Sequence, residues 1–228
     1  MTVGLNTGVA ITLGGEAIVL LPQKALYWPA ERLLVVADLH LEKATARRHT
    51  GVLLPPYDTR ETLARLLSVV RDVRPETVLA LGDSFHDAAA VGRLDVEARA
   101  SLATLATLAQ PVWLIGNHDP ALPPTLPGTV VPFFARRSIG FVHEPSSAVI
   151  APEVAGHLHP KARVRVGGHA VVRPCFVVGG GRVILPAFGA YTGGLDVTAP
   201  PIRSLFGGGG DLYVPGRDRL YRVPLMKT

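Results

Sequence analysis

Four short segments, each directly after an apolar run, carry the residues best suited to chemistry: Asp38-Leu39-His40, Gly82-Asp83, Gly116-Asn117-His118-Asp119 and Gly156-His157-Leu158-His159. The runs before them are Leu33–Ala37, Val78–Leu81, Val112–Ile115 and Val154–Ala155. Strands ending this way would gather carboxylate, amide and imidazole groups at one edge of a sheet. His143 closes a fifth run, Ile139–Val142. Asp38, His40, Asp83, Asn117, His143, His157 and His159 are then seven candidate ligands, enough for two metal ions with room for water. Nitrogen and oxygen donors without thiolate favour Mn, Fe or Zn over Ca or a cysteine-type structural zinc. Two such ions about 3.5–4 Å apart would activate a shared water and neutralise phosphoryl oxygens during in-line displacement. His118 is spare in this count, and beside Asn117 it is free to protonate the departing oxygen.

The elements needed to position these residues follow from the same sequence. Val9–Leu13 and Ala17–Leu21 read as a hairpin turning at Gly14-Gly15. Leu33–Ala37 is continuously apolar, as a strand buried on both faces should be. Asp58 and Glu61 form a capping box that predicts a helix start, with Leu63, Leu66, Leu67, Val70 and Val73 at helical spacing and Pro75 as its stop. A second helix is expected over about Asp95 to Ala109. Alternating strands and helices argue for parallel pairing. Beyond Gly140 short β-type runs (Phe141–His143, Arg163–Val166, Ala170–Val178, Arg182–Leu185, Leu212–Val214, Leu220–Val223) predict a second, more antiparallel sheet.

Composition sets the outer bounds. The chain has 228 residues, 48% of them hydrophobic, and is read as one domain over residues 1–228. No apolar run approaches the ~18 residues of a membrane span. Met1 to Leu13 shows no basic leader with an apolar block, and the single cysteine, Cys175, fits a reducing cytoplasm as a small buried side chain. The net charge of +5 favours polyanionic partners without specifying one.

The segments resemble the calcineurin-like metallophosphoesterase superfamily, whose pattern runs D-x-H, G-D-x-x-D, G-N-H-D/E, H and G-H-x-H. The resemblance implies an α/β fold, a four-layer α/β/β/α sandwich of two packed mixed sheets flanked by helices. It implies that Asp38, His40 and His159 hold one ion, Asn117, His143 and His157 the other, that Asp83 bridges them, and that His118 faces the substrate. Where the pattern has its second Asp, this chain has His86 with Asp87 one place later. In many members that acid supports the histidine of G-N-H; here Asp87 or Asp119 could supply the support. A narrower resemblance runs from about Ala37 to Val197. ADLHLEK, LPPYDTRETL, LGDSFHD, GNHDP, GHLHPKARV, RPCF and LPAFGAYTGGLD resemble the ligase-associated DNA damage response endonucleases of bacteria, the PdeM group. This implies a manganese-dependent phosphodiesterase that nicks DNA in repair, encoded near a DNA ligase and a helicase and so open to functional association with both.

Independent support for DNA comes from basic residues near the expected ligands. Arg47-Arg48 follow D-x-H, Arg136-Arg137 precede the His143 strand, and Lys161, Arg163 and Arg165 follow G-H-L-H. A basic rim of this kind suits a phosphate backbone. Tyr57, Phe85 and Tyr191 could stack on bases but read better as core. The competing readings are a phosphoesterase for small nucleotides or phosphoproteins, and a non-catalytic repair scaffold. The second should have lost ligands, and this chain has lost none.

Overall fold

The computed structural model describes residues 7–47, 57–148, 151–207 and 209–225, with the backbone alone for Arg47 and Val166. Its first sheet has seven strands in chain order: β1 (Val9–Leu13), β2 (Glu16–Leu21), β3 (Ala25–Trp28), β4 (Leu33–Val36), β5 (Thr77–Ala80), β6 (Gln110–Leu114) and β7 (Thr129–Val131). Strands β1 to β4 pair antiparallel and β4 to β7 pair parallel. Gly14 and Gly15 turn the first hairpin at φ 58° and 83°, a conformation in which glycine has no steric cost. In the parallel part Val36 lies opposite Ala80, and Ala80 opposite Trp113. The three strands therefore finish level, and the residues after them leave from one edge.

The second sheet also has seven strands. They are β8 (Phe134–Arg136), β9 (Ile139–Val142), β10 (Glu153–Ala155), β13 (Phe176–Gly179), β14 (Arg182–Ile184), β15 (Gly210–Pro215) and β16 (Leu220–Leu225), while β11 (Lys161–Val166) and β12 (His169–Pro174) form a separate hairpin. It is mixed: β9, β10 and β14 run parallel and the other pairs antiparallel. The expected single run Ala170–Val178 is broken at Cys175, whose N–H donates to Pro160 O at 3.0 Å as the chain leaves the hairpin for the sheet.

Among the described residues five α-helices complete the fold: α1 (Lys43–Arg47), α2 (Asp58–Val73), α3 (Ala90–Arg93), α4 (Val96–Leu108) and α5 (Pro200–Arg203). Leu63, Leu66, Leu67 and Val70 of α2, with Leu102 and Leu105 of α4, cover the outer face of the first sheet against Leu34, Val36, Val78 and Trp113. The opposite face supplies Leu33, Val35, Leu79 and Leu81, which meet Ile139, Phe141, Val154, Phe176 and Val183 between the sheets. Residues at i and i+1 of one strand thus feed two cores, which is why these runs are continuously apolar. The four-layer sandwich is as expected, with a thin fourth layer: Ile202 of α5, Phe206 and Ala162 cover the second sheet. The capping box at α2 does not form. The Asp58 carboxylate instead accepts from Ala44 N at 3.0 Å, tying α1 to α2. Asp95 does cap α4, accepting from Ala98 N. Among the described residues no helix is long and apolar enough to cross a membrane.

A buried ion pair fixes the far end of the second sheet. Arg182 is 1% exposed, donates from Nε to Glu153 Oε1 at 2.8 Å, and also donates to Ser146 O. Replacing Glu153 with Ala leaves a buried guanidinium without its counter-charge. The expected loss is about 3–5 kcal/mol of unfolding free energy, read from chemical denaturation. Glu153→Ala with Arg182→Met removes both charges and should recover most of it.

Candidate metal centre

Strands of both sheets, not one, deliver the expected ligands. Asp38 and His40 follow β4, Asp83 follows β5, Asn117 follows β6, His143 directly follows β9, and His157 and His159 follow β10. On an extended strand end, the i, i+2 spacing of Asp38 and His40 would point both side chains the same way. The backbone does something else. Asp38, His40, Asp83, His157 and His159 all have left-handed φ, at 54°, 45°, 46°, 67° and 46°. Each costs about 1–2 kcal/mol for a residue with a Cβ, so the surroundings must impose it.

Three main-chain hydrogen bonds do this between the first two loops. His40 N donates to Asp83 O, Leu41 N to Ser84 O and His86 N to Leu41 O, each at 2.9 Å. Two glycines allow the loops to close. A Cβ on Gly116 would lie 2.3 Å from Asp83 N and Oδ1, and one on Gly82 would lie 2.6 Å from the His143 ring. The buried Asp119 carboxylate accepts from Asp83 N (3.0 Å), Phe85 N (3.0 Å) and Gly116 N (2.9 Å), locking the loops after β5 and β6 together. Burial pushes this carboxyl up to about 6 while the N–H groups of Phe85 and Gly116 pull it down. Glu42, which the sequence reading passed over, is also left-handed and buried, and it accepts from the hydroxyls of Thr45 and Thr59.

Six of the eight histidines converge with two carboxylates. One group is Asp38, His40 and His159, and a second is Asp83, His143 and His157. In the first, His40 Nε2 faces His159 Nε2 at 3.3 Å and His159 Nε2 lies 3.2 Å from Asp38 Oδ1. In the second, His143 Nδ1 donates to Leu81 O at 2.8 Å, which in the neutral imidazole leaves the lone pair on Nε2. That nitrogen faces Asn117 Oδ1 at 2.9 Å, His157 Nδ1 at 3.2 Å and Asp83 Oδ1 at 3.4 Å. Asp83 looks both ways, for its Oδ2 lies 3.9 Å from His40 Nε2. Burial, with the charges of His159 and Lys43, pushes the His40 imidazole down to about 2, which keeps it neutral and free to donate a lone pair. Ring nitrogens and carboxylate oxygens converging on common points are the donor arrangement of cation sites, and the nitrogen–oxygen set fits Mn, Fe or Zn. All seven expected ligands are brought together.

His118 stands beside both groups. Its side chain is 41% exposed, its Nε2 lies 4.0 Å from Asp83 Oδ2, and its N–H donates to Asp83 Oδ1 at 2.9 Å. Its ring is held by neither acid considered above. Asp87 is bound to Arg93 at 2.6 and 2.9 Å, and Asp119 is spent on main-chain N–H groups. The support comes from the His86 carbonyl, which accepts from His118 Nδ1 at 2.8 Å while the two rings stack at 5.3 Å. A main-chain acceptor leaves no trace in a sequence motif, so this role of His86 was not readable there. His40, His86 and His118 also lie close enough to share a cation, in competition for His40.

The basic rim is only partly assembled. Lys161 lines a cavity that His159 also lines. Arg163 faces a different depression, beside Asp196 and Arg203. Arg136 and Arg137 are occupied by Glu31, and Arg137 by Glu16 as well. Arg48 and the side chain of Arg47 lie outside the described residues. Phe85 is core, packed on Trp113, but Tyr57 and Tyr191 are exposed rather than buried. Cys175 is fully buried and its thiol is pushed up to about 12, as expected of an inert packing residue.

A family model described as calcineurin-like phosphoesterase matches residues 31–174, a span that contains all seven candidate ligands. Among solved structures, the Pseudomonas putida nuclease MPE superposes with a TM-score of 0.73 at 30% identity, over 95% of this chain and 100% of that one. The protein AQ665 of Aquifex aeolicus reaches a TM-score of 0.37 at 14% identity over 56% of this chain and 78% of that one, too little to carry an argument. A search of curated proteins found no match.

Two outcomes follow from the donor geometry. Adding Mn²⁺ at 100 times its dissociation constant to chelated protein should raise stability by about 2.7 kcal/mol, seen as a higher melting temperature; an unchanged midpoint contradicts it. Because His40 is lowered in the fold, the unfolded chain binds a proton below about 6.5 that the folded chain does not. The metal-free protein should therefore lose stability as pH falls through 6.5 towards 5, and His40→Asn should flatten that slope.

Proposed function

The chain belongs to the calcineurin-like phosphoesterase family, and from that premise we propose that this metal-dependent phosphoesterase is a two-metal phosphodiesterase that cuts DNA. One observation carries the reading: the lone pair of His143 Nε2 faces Asn117, His157 and Asp83 oxygen and nitrogen atoms at 2.9–3.4 Å, beside a second group sharing Asp83. Asp38, His40 and His159 would hold one ion, Asn117, His143 and His157 the other, and Asp83 would serve both. When bound, the ions would supply activation of water and neutralisation of phosphoryl oxygens. Manganese is the proposed metal, on the donor set and the motif resemblance.

The chain's own residues supply the rest. The His86 carbonyl holds His118 Nδ1–H, which leaves Nε2 beside the centre, 4.0 Å from Asp83 Oδ2. As an imidazolium, His118 places one proton into that carbonyl and the other at Nε2, where the leaving alkoxide needs it. The loop hydrogen bonds and the close fit at Gly116 keep the donors in place before substrate arrives. DNA as substrate is supported by the likeness to a nuclease over 95% of the chain, the net charge of +5, and Lys161 beside the centre. A role in repair and association with a ligase or helicase rest on the motif resemblance.

The test is nicking of single- and double-stranded DNA by the Mn²⁺-loaded protein. His118→Ala should retain its metal and lose about 10²–10⁴-fold in turnover on substrates with poor leaving groups. Loss of both ions in that variant would make His118 a ligand instead. DNA cleavage that survives exhaustive chelation would overturn the metal-dependent reading.

A further inference from the structure

Next to the centre is a cavity of about 290 Å³ whose wall holds three cations and one carboxylate. Lys24 comes from the turn between β2 and β3, Arg65 from α2 and Lys161 from the start of β11, while Glu61 is the one acid. His159 belongs both to this wall and to the group with Asp38 and His40. Lys24 Nζ donates to the carbonyls of Ala187 (2.6 Å) and Phe188 (2.9 Å), and Arg65 donates to the same Phe188 carbonyl while covering its ring. Like charges are thus drawn together on one loop. Burial and the charges of Arg65 and Lys161 push Lys24 down to about 7, and burial lowers Arg65.

Two cations share the Phe188 carbonyl and a third, Lys161, stands on the same wall at Thr192 O, so the cluster carries more positive charge than these carbonyls use. The donors are also incompletely used. Among the described residues Arg65 Nε is buried without an acceptor, and its Nη1 reaches only Glu61 Oε1, at 3.9 Å. Lys161 Nζ has one acceptor, Thr192 O at 3.1 Å, of the three an ammonium can serve. An anion placed here would pair with Lys161 Nζ and offset the repulsion among the cations. Since His159 lines the cavity and belongs to the proposed metal centre, an anion held here would adjoin that centre. Tyr191, 49% exposed on the same wall, offers a ring for the attached base.

We propose that this cavity is a second phosphate subsite, in which Arg65 and Lys161, backed by Lys24, hold the phosphate neighbouring the scissile one. The proposal rests on the phosphodiesterase reading above. It makes the enzyme selective for a chain of phosphates over an isolated diester. The neighbouring phosphate is either an internal linkage or a terminal phosphate, and the chemistry recognised is the same.

The experiment compares kcat/KM of the Mn²⁺-loaded protein on bis(p-nitrophenyl) phosphate, TpT, 5′-phosphorylated pTpT, TpTpT, and TpTpT with one linkage replaced by a neutral methylphosphonate. Substrates with a second charged phosphate should exceed TpT by about tenfold or more, the worth of a charge-assisted hydrogen bond. The methylphosphonate should cancel the advantage, and Arg65→Gln and Lys161→Ala should each remove most of it. A preference for pTpT identifies a terminal phosphate and one for TpTpT an internal linkage. Lys161→Ala, at a half-buried tip, keeps the test alive should Arg65→Gln fail to fold. A wild-type enzyme that cuts the small diester without any preference, or a preference intact in both variants, overturns the subsite alone. Failure on every diester overturns the phosphodiesterase reading, and the subsite with it.

Discussion

His143 Nε2, Asn117 Oδ1, His157 Nδ1 and Asp83 Oδ1 crowd together with lone pairs facing inward, and Asp38, His40 and His159 do the same beside them. Such groups repel one another in a protein interior, where an unpaired polar atom already costs free energy. Only a cation, or protons that burial opposes, can relieve the crowding. The rest of the molecule holds this arrangement in place. Parallel strands of two sheets end level with it, left-handed residues turn the donors inward, and Asp119 clasps the loops from below. The two-sheet core supplies the rigidity that makes such strain affordable.

Much of this was legible in the sequence. The apolar runs before Asp38, Asp83, Asn117 and His143 mark strands buried on both faces, and hydrophobic burial alone places them. The side chains after them are of the types that bind metals, so their convergence followed from the strand ends. The i, i+2 spacing of Asp38 and His40 gave the right neighbours for the wrong reason. The backbone there is left-handed, imposed by hydrogen bonds to Asp83 and Ser84 more than forty residues away. Local pattern carries no such information.

Other features were hidden because they depend on main-chain atoms or on distant pairing. The carbonyl of His86 orients His118, and a carbonyl is common to every residue. Arg182 meets Glu153 only because β10 and β14 pair in parallel. Asp58 looked like a helix cap and instead joins α1 to α2, since a buried carboxylate takes whichever N–H the fold presents. The arginines ahead of the His143 strand looked like a DNA-facing rim but pair with Glu16 and Glu31. In their place Arg65 and Lys24, far apart in sequence, stand with Lys161 beside the centre.

Asp83 lies between both groups of donors, one oxygen near His40 and the other near His143. Elemental analysis of manganese-loaded, gel-filtered protein tests that directly, run on the wild type and on Asp83→Ala. The prediction is two ions per chain in the wild type and a loss of affinity at both positions in the variant. A single ion in the wild type, or two tightly held ions in a folded Asp83→Ala protein, would contradict it.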